Sequence, residues 1–241
     1  MLGKRFVFIY FFQLIFFVWS SIKWNGLDAI DTLLRLGADV NRQCQKYGAI
    51  PLHYLLVFCY SSDTIEQLVQ AGSNVLIPTN SNQTCLTYSL IQNDTYLLKI
   101  LFQSLKSQPT DLMNLIYLCC IHGKDNSLEF LIETYPTINF DEQMSDGMTA
   151  LMLACYYGHY SCVHLLLHRK INVKKVNHID GKTSLHYAAF NGQSECLLAL
   201  LQDLQSNQDE LKTIVNLKDK NGKLVDFKLN FNKTKIEFLS I

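Results

Sequence analysis

Histidine and cysteine are the residues of this sequence whose chemistry suits metal binding. His164 and His168 lie four residues apart, which places both imidazoles on one face of a helix, and Cys155 or His159 could join them as ligands. Zinc sites draw their ligands from paired short spacings, which this group lacks. The pattern therefore favours solvated histidines over a metal centre, and we expect no metal and no cofactor.

Two other histidines, His53 and His186, each stand in a Leu-His-Tyr step and could be read as a catalytic pair. General acid and base groups must meet within hydrogen-bonding distance, and equivalent positions in separate copies of a motif do not converge on one substrate. The sequence also has no Walker loop, dinucleotide glycine fingerprint, HExxH motif or nucleophile elbow. We therefore predict that the protein is not an enzyme.

The lysine-rich stretch RKINVKKVNHIDGK, residues 169–182, could contact phosphate or an acidic peptide. It has no interleaved aromatic residues, and the whole chain balances 21 basic against 21 acidic residues. Such a balance gives no global field that would attract nucleic acid. The stretch is interpreted as a solvated turn, and no nucleic-acid partner is expected.

Composition indicates a globular protein whose cysteines are reduced thiols. The chain has 241 residues, of which 49% are apolar and 17% charged, enough for a sizeable core in one or two domains. Its eight cysteines form no CxxC pair and no compact framework, and most lie within apolar helical patterns. Buried, reduced thiols suit a reducing compartment, so we predict a cytoplasmic location.

Most of the histidines considered above lie in or beside a sequence motif that occurs twice. Residues 146–158 read DGMTALMLACYYG, and residues 180–192, 34 positions later, read DGKTSLHYAAFNG. A fixed period of this size predicts stacked supersecondary units. In each copy Asp-Gly can form a tight turn, a threonine can begin a helix, and a closing glycine can end it.

The apolar residues of each copy fit a pair of packed helices. We expect Leu151 and Leu185 to point inward, and Ala154, Ala188 and Ala189 to let a neighbouring helix approach closely. A second apolar helix follows each closing glycine, CVHLLLH in one copy and CLLALLQ in the next. Neither pair could bury its apolar side alone, whereas stacked pairs could.

The threonines predict helix caps of two kinds. Thr149 and Thr183 can each accept a hydrogen bond from an amide of the first helical turn. The residue three positions later can return a hydrogen bond to the threonine amide. We expect His186 to do so and Met152 not to do so.

A turn followed by two antiparallel helices, with a period near 33 residues, resembles the ankyrin repeat. Further copies support the resemblance. They are GADVN at 37–41 as the end of one unit, GAIPLHYLL from Gly48 with a second helix closing at Gly72, a worn copy with Asn82 in the place of glycine, Thr84, Leu86, Ser89 and LLKILF at 97–102, and another with Asn114, Ile116, Cys119, Cys120, Gly123 and LEFLI.

The resemblance implies an all-α ankyrin-repeat solenoid of about six units over residues 16–216. Lys170 and Ile171 replace the Gly-Ala that normally ends a second helix. The polar stretch QDLQSNQDELKT after Leu201 is expected to lengthen the last helix or form a surface loop. The motif restarts at Gly222, so we interpret residues 217–241 as a truncated repeat or C-terminal tail.

The N-terminal segment, residues 1–15, opens an apolar run from Phe6 to Val18. Three interpretations stay open: a diverged or artefactual cap, a signal peptide or membrane anchor, and an interfacial helix. Sequons at Asn82, Asn93 and Asn232 would accompany secretion, but that many also occur by chance. A membrane contact is expected only through residues 6–22.

For function, the resemblance implies a non-catalytic scaffold or adaptor that binds a partner protein through a concave groove, and we expect a monomer. The alternatives are a membrane-anchored or secreted ankyrin-repeat protein, or a fragment of a larger multidomain one. The resemblance assigns partner contact to the positions around each turn glycine and before each helix-ending glycine. Those residues are Tyr47, Val57, Phe58, Asp146, Met148, Tyr156, Tyr157, Asp180, Lys182, Phe190 and Asn191.

Overall fold

A computed structural model describes residues 27–58, 62–105, 111–205 and 208–225. That part of the chain is helical and has no strand, which confirms the predicted all-α class. Its helices are α1 (Leu27–Arg35), α2 (Pro51–Phe58), α3 (Ser62–Gln70), α4 (Cys85–Gln92), α5 (Thr95–Gln103), α6 (Leu112–His122), α7 (Asp125–Thr134), α8 (Ala150–Tyr157), α9 (Tyr160–Leu167), α10 (Ser184–Phe190), α11 (Ser194–Leu204) and α12 (Gln208–Val215).

The chain divides into two compact units, Met1–Leu112 and Met113–Ile241. In the first, α2 packs on α3 and α4 on α5, so consecutive helices form pairs. The pairs then stack in register, because α2 contacts α4 while α3 contacts both α1 and α5. The interface is apolar, with Leu52, Leu56, Leu86 and Leu98 all buried. Each such leucine contributes roughly 1.5–3 kcal/mol through removal from water.

The second unit follows the same plan. Helix α8 packs on α9 and α10 on α11, α8 contacts α10, and α9 lies between α7 and α11. Leu151 and Leu185 are buried, as the motif predicted, and so are Ala154, Ala188 and Ala189. The alanines lie where first helices meet, so their small side chains permit the close approach of α8 and α10.

Reciprocal caps begin α8 and α10. The Thr183 amide donates to Nδ1 of His186 at 3.3 Å, as predicted. The Thr149 amide donates to Sδ of Met152 at 3.4 Å, and Met152 N donates to the Thr149 hydroxyl at 3.3 Å. The expectation that Met152 would not reciprocate was therefore wrong. A thioether sulfur is a weak acceptor, but it occupies the position that the imidazole takes in the next copy.

Left-handed backbone positions mark the degenerate copies. Asn82 has φ +61° and Lys170 has φ +53°, so each takes the conformation that glycine holds elsewhere. Asparagine visits this region more readily than other non-glycine residues because its short amide can hydrogen-bond locally. Asn93, the second predicted sequon in the described residues, likewise ends α4 at φ +60°.

Adjacent hairpin tips are joined by hydrogen bonds within each unit. In the first unit the Asn80 amide donates to the Tyr47 carbonyl at 2.8 Å. In the second, Asn177 Nδ2 donates to the Asp146 carbonyl at 3.1 Å, and the Lys220 amide donates to the Asp180 carbonyl at 2.9 Å. Gly147 lies under the Asn177 side chain with φ +78°, so this contact needs a residue without Cβ.

The polar stretch after Leu201 was expected to form a longer helix or a surface loop, whereas the structure has a short extension of α11 and then a separate helix. Helix α11 runs to Leu204, and the additional helix α12 packs against it. Beyond α12 the chain forms another hairpin tip, closed by a hydrogen bond from the Gly222 amide to the Asp219 carbonyl at 2.9 Å. The motif restart at Gly222 therefore forms a turn.

The N-terminal apolar run, Asn232 and residues 226–241 lie outside the described residues. The proposed boundaries of the repeat array stay predictions for the same reason. None of the helices in the described part of the chain combines the length and apolar character needed to span a membrane.

Substituting Gly147 by alanine is expected to destabilise the fold more than the same change at Gly192. Both have positive φ, which costs an alanine about 1–2 kcal/mol. At Gly147 the new Cβ would also overlap the amide oxygen of Asn177, whereas at Gly192 it meets nothing within 4 Å. Overpacking of this kind adds about 1–3 kcal/mol. Urea denaturation of both variants gives the comparison, and equal losses would contradict the packing argument.

Acidification should destabilise the protein through His186, which caps α10, and His53, whose Nδ1 accepts from the Ile50 amide at 3.2 Å at the start of α2. Burial lowers the pKa of both His53 and His186 below the ordinary 6.5. As pH falls below 6.5, the unfolded chain takes up protons that the folded chain resists, so stability is present above that pH and declines below it. Glutamine keeps the capping acceptor without titrating. The double variant His53→Gln and His186→Gln should lose less stability between pH 8 and 5; parallel profiles would refute this.

Candidate protein-binding face

Three exposed aromatic side chains lie at the ends of two first helices that pack together in the second unit: Tyr156 and Tyr157 at the end of α8 and Phe190 at the end of α10. Phe190 is 67% exposed and Tyr157 46%. The rings of Tyr156 and Tyr157 meet edge to face with centroids 5.1 Å apart, and Tyr157 stacks on His159 at 6.3 Å. We call Tyr156, Tyr157 and Phe190 the aromatic face.

Neighbouring groups hold the aromatic face in place. Asn191 Nδ2 donates a hydrogen bond to the Tyr156 carbonyl at 2.9 Å, which ties the ends of α8 and α10 together. The Lys182 ammonium lies 5.4 Å from the centre of the Phe190 ring and 5.6 Å from that of Tyr187. These contacts restrain the end of α8 and the Phe190 ring before any partner arrives, and such restraint lowers the entropic cost of binding.

Tyr187 anchors this region from below. Its hydroxyl donates to Oδ2 of Asp180 at 3.0 Å and accepts from Nδ2 of Asn177 at 2.8 Å, while its ring contacts that of Tyr156 with centroids 6.1 Å apart. Burial alone would raise the pKa of Asp180, but hydrogen bonds from the Lys182 amide and the Tyr187 hydroxyl outweigh it and hold the pKa below 3.8. Asp180 therefore stays ionised at neutral pH.

The predicted turn positions differ in exposure. Asp146 is exposed, and its Oδ1 accepts from the Met148 amide at 3.0 Å to stabilise the turn. Asp180 does the same for the Lys182 amide at 2.9 Å. Met148 itself is buried, with 8% of its surface exposed, because its side chain packs into the hairpin. Its side chain therefore offers little surface to a partner.

The predicted residues of the first unit line one groove. Tyr47, Val57 and Phe58 are exposed and border a cavity of about 480 Å³ that also contacts His53 and Tyr88. The groove lies between a hairpin tip and the end of a first helix, the same local setting as the aromatic face. Lys46 extends over the Tyr47 ring at 4.8 Å, so a cation lies at its rim.

The two histidines that suggested metal chemistry lie next to each other on the surface, but the cysteine that could have joined them does not. His164 and His168 are exposed, with ring centroids 4.4 Å apart, whereas Cys155 is buried in the core. Burial raises the pKa of the Cys162 thiol to about 12 and that of Cys196 to about 11, which disfavours the thiolate that metals bind. In the described residues no group of three or more His, Cys, Asp or Glu side chains is arranged to hold a metal.

A family model described as ankyrin repeats (3 copies) matches residues 97–177 and 115–210. These residues contain the stacked helix pairs and hydrogen-bonded tips described above. Residues 97–210 of this chain are ankyrin repeats. Ankyrin repeats mediate protein–protein interaction, and the fold is typically non-enzymatic.

Curated proteins of similar sequence include several ubiquitin ligases. E3 ubiquitin-protein ligase XBAT33 of Arabidopsis thaliana is 34% identical over 88 residues, which is 36% of this ankyrin repeat protein and 17% of the ligase. Putative E3 ubiquitin-protein ligase XBAT31 of the same plant is 30% identical over 48% of this chain and 26% of its own. The human SMC5-SMC6 complex localization factor protein 1 is 34% identical over 87 residues, 8% of its length. The chain thus matches about a quarter or less of each relative.

Solved structures support the fold. The ankyrin repeat domain of human ASB11 superposes with a TM-score of 0.69 at 21% identity, over 91% of this chain and 94% of that domain. The ankyrin repeat domain of Bcl-3 gives a TM-score of 0.66 at 20% identity, over 88% of this chain and 90% of that domain. Identities this low speak to the fold alone, and they confirm the predicted ankyrin-repeat solenoid class.

Sequence reasoning missed the buried layer of this ankyrin repeat protein's site. Tyr187 and Asn177 join the turn to the aromatic face, yet neither was singled out. A signal was present, because Tyr54 follows His53 as Tyr187 follows His186. The Tyr54 hydroxyl lies 3.1 Å from Sγ of Cys44, four residues before the turn glycine, which is the position of Asn177 in the later copy.

Replacing Tyr187 by phenylalanine should destabilise the protein by about 1–3 kcal/mol, because Asp180 and Asn177 each lose a hydrogen-bond partner. The aromatic ring stays, so the packing against Tyr156 is preserved. Tyr160→Phe is the matched control, since Tyr160 is 42% exposed on α9 and water can satisfy its partners. Urea denaturation measures both, and a Tyr187→Phe variant as stable as the control would show that the network adds nothing.

Proposed function

We propose that this ankyrin repeat protein is a non-catalytic scaffold or adaptor that binds a partner protein through its hairpin tips and the ends of its first helices. The contact residues are the aromatic face together with Asp146, Asp180, Lys182 and Asn191, and, in the first unit, Tyr47 and Phe58. Met148 is left out because it is buried.

The exposed and ordered aromatic face carries this proposal. A phenylalanine with 67% of its surface in water contributes little to the free energy of folding. Large aromatic side chains supply much of the binding energy at protein interfaces. Asn191, the next residue after Phe190, donates to the Tyr156 carbonyl, and the Tyr156 ring contacts the rings of Tyr157 and Tyr187. A surface of this kind supports binding by display rather than by chemistry.

The ubiquitin-ligase relatives favour a finer version of this function, in which the repeats select the protein that a ligase complex modifies. Six of the eight relatives are named as ubiquitin ligases. Each match covers a small part of those proteins, so we do not assign their ligase activity to this chain. For the location we keep the cytoplasm as our proposal, because the seven cysteines within the described residues are buried free thiols.

The contact face is tested by affinity capture with the full chain as bait. The double variant Tyr157→Ala and Phe190→Ala should lose its specific partners, because truncating hot-spot aromatics costs roughly 2 kcal/mol or more each, about a thirtyfold loss of affinity. Mass spectrometry of the captured proteins is the readout. Components of a ubiquitin ligase among the lost partners would support the finer version.

The control for this capture is Tyr160→Ala. Tyr160 is exposed to a similar degree but lies at the start of α9, a second helix, away from the hairpin tips. It should retain the wild-type partners. Equal partner sets for the wild type and the double variant would remove the aromatic face as the contact surface.

A further inference from the structure

The last two hairpin tips of the chain concentrate positive charge. Residues 174–182 contain Lys174, Lys175 and Lys182, and residues 217–223 contain Lys218, Lys220 and Lys223; their acidic residues are Asp180 and Asp219. Six lysines against two aspartates give a formal charge of +4 in a chain whose net charge is zero. We call residues 174–182 and 217–223 the lysine hairpins.

The two lysine hairpins lie side by side. The Lys220 amide donates to the Asp180 carbonyl at 2.9 Å, and the Lys220 ammonium donates to the His178 carbonyl at 2.7 Å. A carbonyl is neutral, so this second contact fixes the ammonium without cancelling its charge. The lysines of both tips therefore form one local cluster.

The aspartates of the lysine hairpins are used internally. Asp180 accepts from the Tyr187 hydroxyl and pairs with the Lys182 ammonium at 3.3 Å. Asp219 is buried, and its Oδ1 accepts from the amides of Asn221 and Lys223 at 2.9 and 2.8 Å. Lys218 and Lys223, by contrast, are exposed. The outer surface of the cluster is therefore lysine.

The preceding hairpin has the opposite charge. Residues 141–147 contain Asp141, Glu142 and Asp146 and no lysine or arginine. Asp141 caps the next turn by accepting from the Asn172 amide at 2.9 Å, while Asp146 is exposed. The charge on the tips thus changes sign between residues 141–147 and the lysine hairpins. A charged ligand would therefore be attracted at one tip and repelled at the other.

The lysine hairpins adjoin the aromatic face. The Lys182 ammonium lies over the Phe190 ring, and the apolar residues Val176, Ile179 and Leu224 are exposed on the same tips. Positive charge next to exposed apolar surface complements a peptide that has acidic and apolar residues close together. The phosphates of a nucleic acid continue along the whole strand and would be repelled by the acidic residues of the neighbouring tip.

We propose that the lysine hairpins bind an acidic segment of the partner protein, one that places glutamates or aspartates over the lysines and an adjoining aromatic or aliphatic side chain against the aromatic face. This inference rests on the proposed function and specifies the chemistry of the partner. The acidic part lies over the lysine hairpins and is repelled by residues 141–147, so the segment binds in one orientation.

The test uses the full chain and a fluorescent peptide in which a run of glutamates precedes one tryptophan. Anisotropy should report binding that weakens as salt rises, because exposed charge pairs are screened. The same peptide with glutamines should bind about tenfold more weakly. A single-stranded DNA oligonucleotide with the same label serves as the nucleic-acid arm, and tighter binding of the DNA than of the glutamate peptide would overturn the proposal.

Charge reversal locates the site. Lys175→Glu with Lys223→Glu changes one lysine on each hairpin, the first half-buried and the second exposed. The change should weaken binding of the glutamate peptide about tenfold, since each surface ion pair is worth up to roughly fivefold in affinity. Lys99→Glu with Lys212→Glu makes the same change of charge on exposed helical positions and should bind within about twofold of the wild type. Equal effects of the two double variants would overturn the proposal.

The aromatic variant separates this inference from the proposed function. If Tyr157→Ala with Phe190→Ala weakens binding of the peptide while the lysine reversal does not, the aromatic face is supported and the acidic-partner inference fails. If only the lysine reversal weakens binding of the peptide, the contact between acidic residues and the lysine hairpins stands and the aromatic contact fails. Circular dichroism and urea denaturation of each variant verify folding, and absence of binding to the glutamate peptide by folded wild type overturns the inference.

Discussion

Each helix pair of this protein exposes more apolar surface than it can bury by itself. In the first unit α2, which carries the buried Leu52 and Leu56, contacts α4 of the next pair as well as its own partner α3. In the second unit α8 and α10, which carry the buried Leu151 and Leu185, contact each other. Stability is therefore shared between neighbouring pairs, as expected for repeat proteins whose units contact only their neighbours. The turns, caps and tip contacts all serve to keep successive pairs in register.

This constraint divides the residues of each copy into two groups. The framework residues are those that close the turn, begin the helix or fill the interface, such as Gly147, Thr149, Leu151 and Ala154. The positions between them, such as Tyr157, point into water and are not needed for stacking. The fold can therefore keep its register while the exposed positions change, which is why a surface specific for one partner can be built on a repetitive scaffold.

The framework could be predicted from the sequence because turns, caps and apolar periodicity depend on residues that are close together in the chain. Asn82 was expected in the place of glycine and has the positive φ that the place requires, and Lys170 takes the same role at the end of α9. The prediction for Met152 was wrong because it assigned hydrogen-bond acceptance to polar side chains alone, whereas geometry brings the sulfur to the threonine amide. The burial of Met148 was missed for a related reason: its turn position indicates exposure, but side-chain direction depends on how the neighbouring tip packs.

The candidate site was less predictable because it depends on contacts between copies. Tyr156 and Phe190 were identified by position, but Tyr156 is contacted by Asn191 and Tyr187 of the next copy. No single copy contains that information. The same is true of the lysine hairpins. The sequence alone led us to interpret residues 169–182 as a solvated turn and residues 217–241 as a truncated repeat or tail. Their charge becomes a feature of the surface only when the Lys220 backbone places the second tip against the first. Stacking thus does two things at once: it buries the apolar sides of the helices, and it gathers residues that are far apart in sequence into one exposed, charged and aromatic surface.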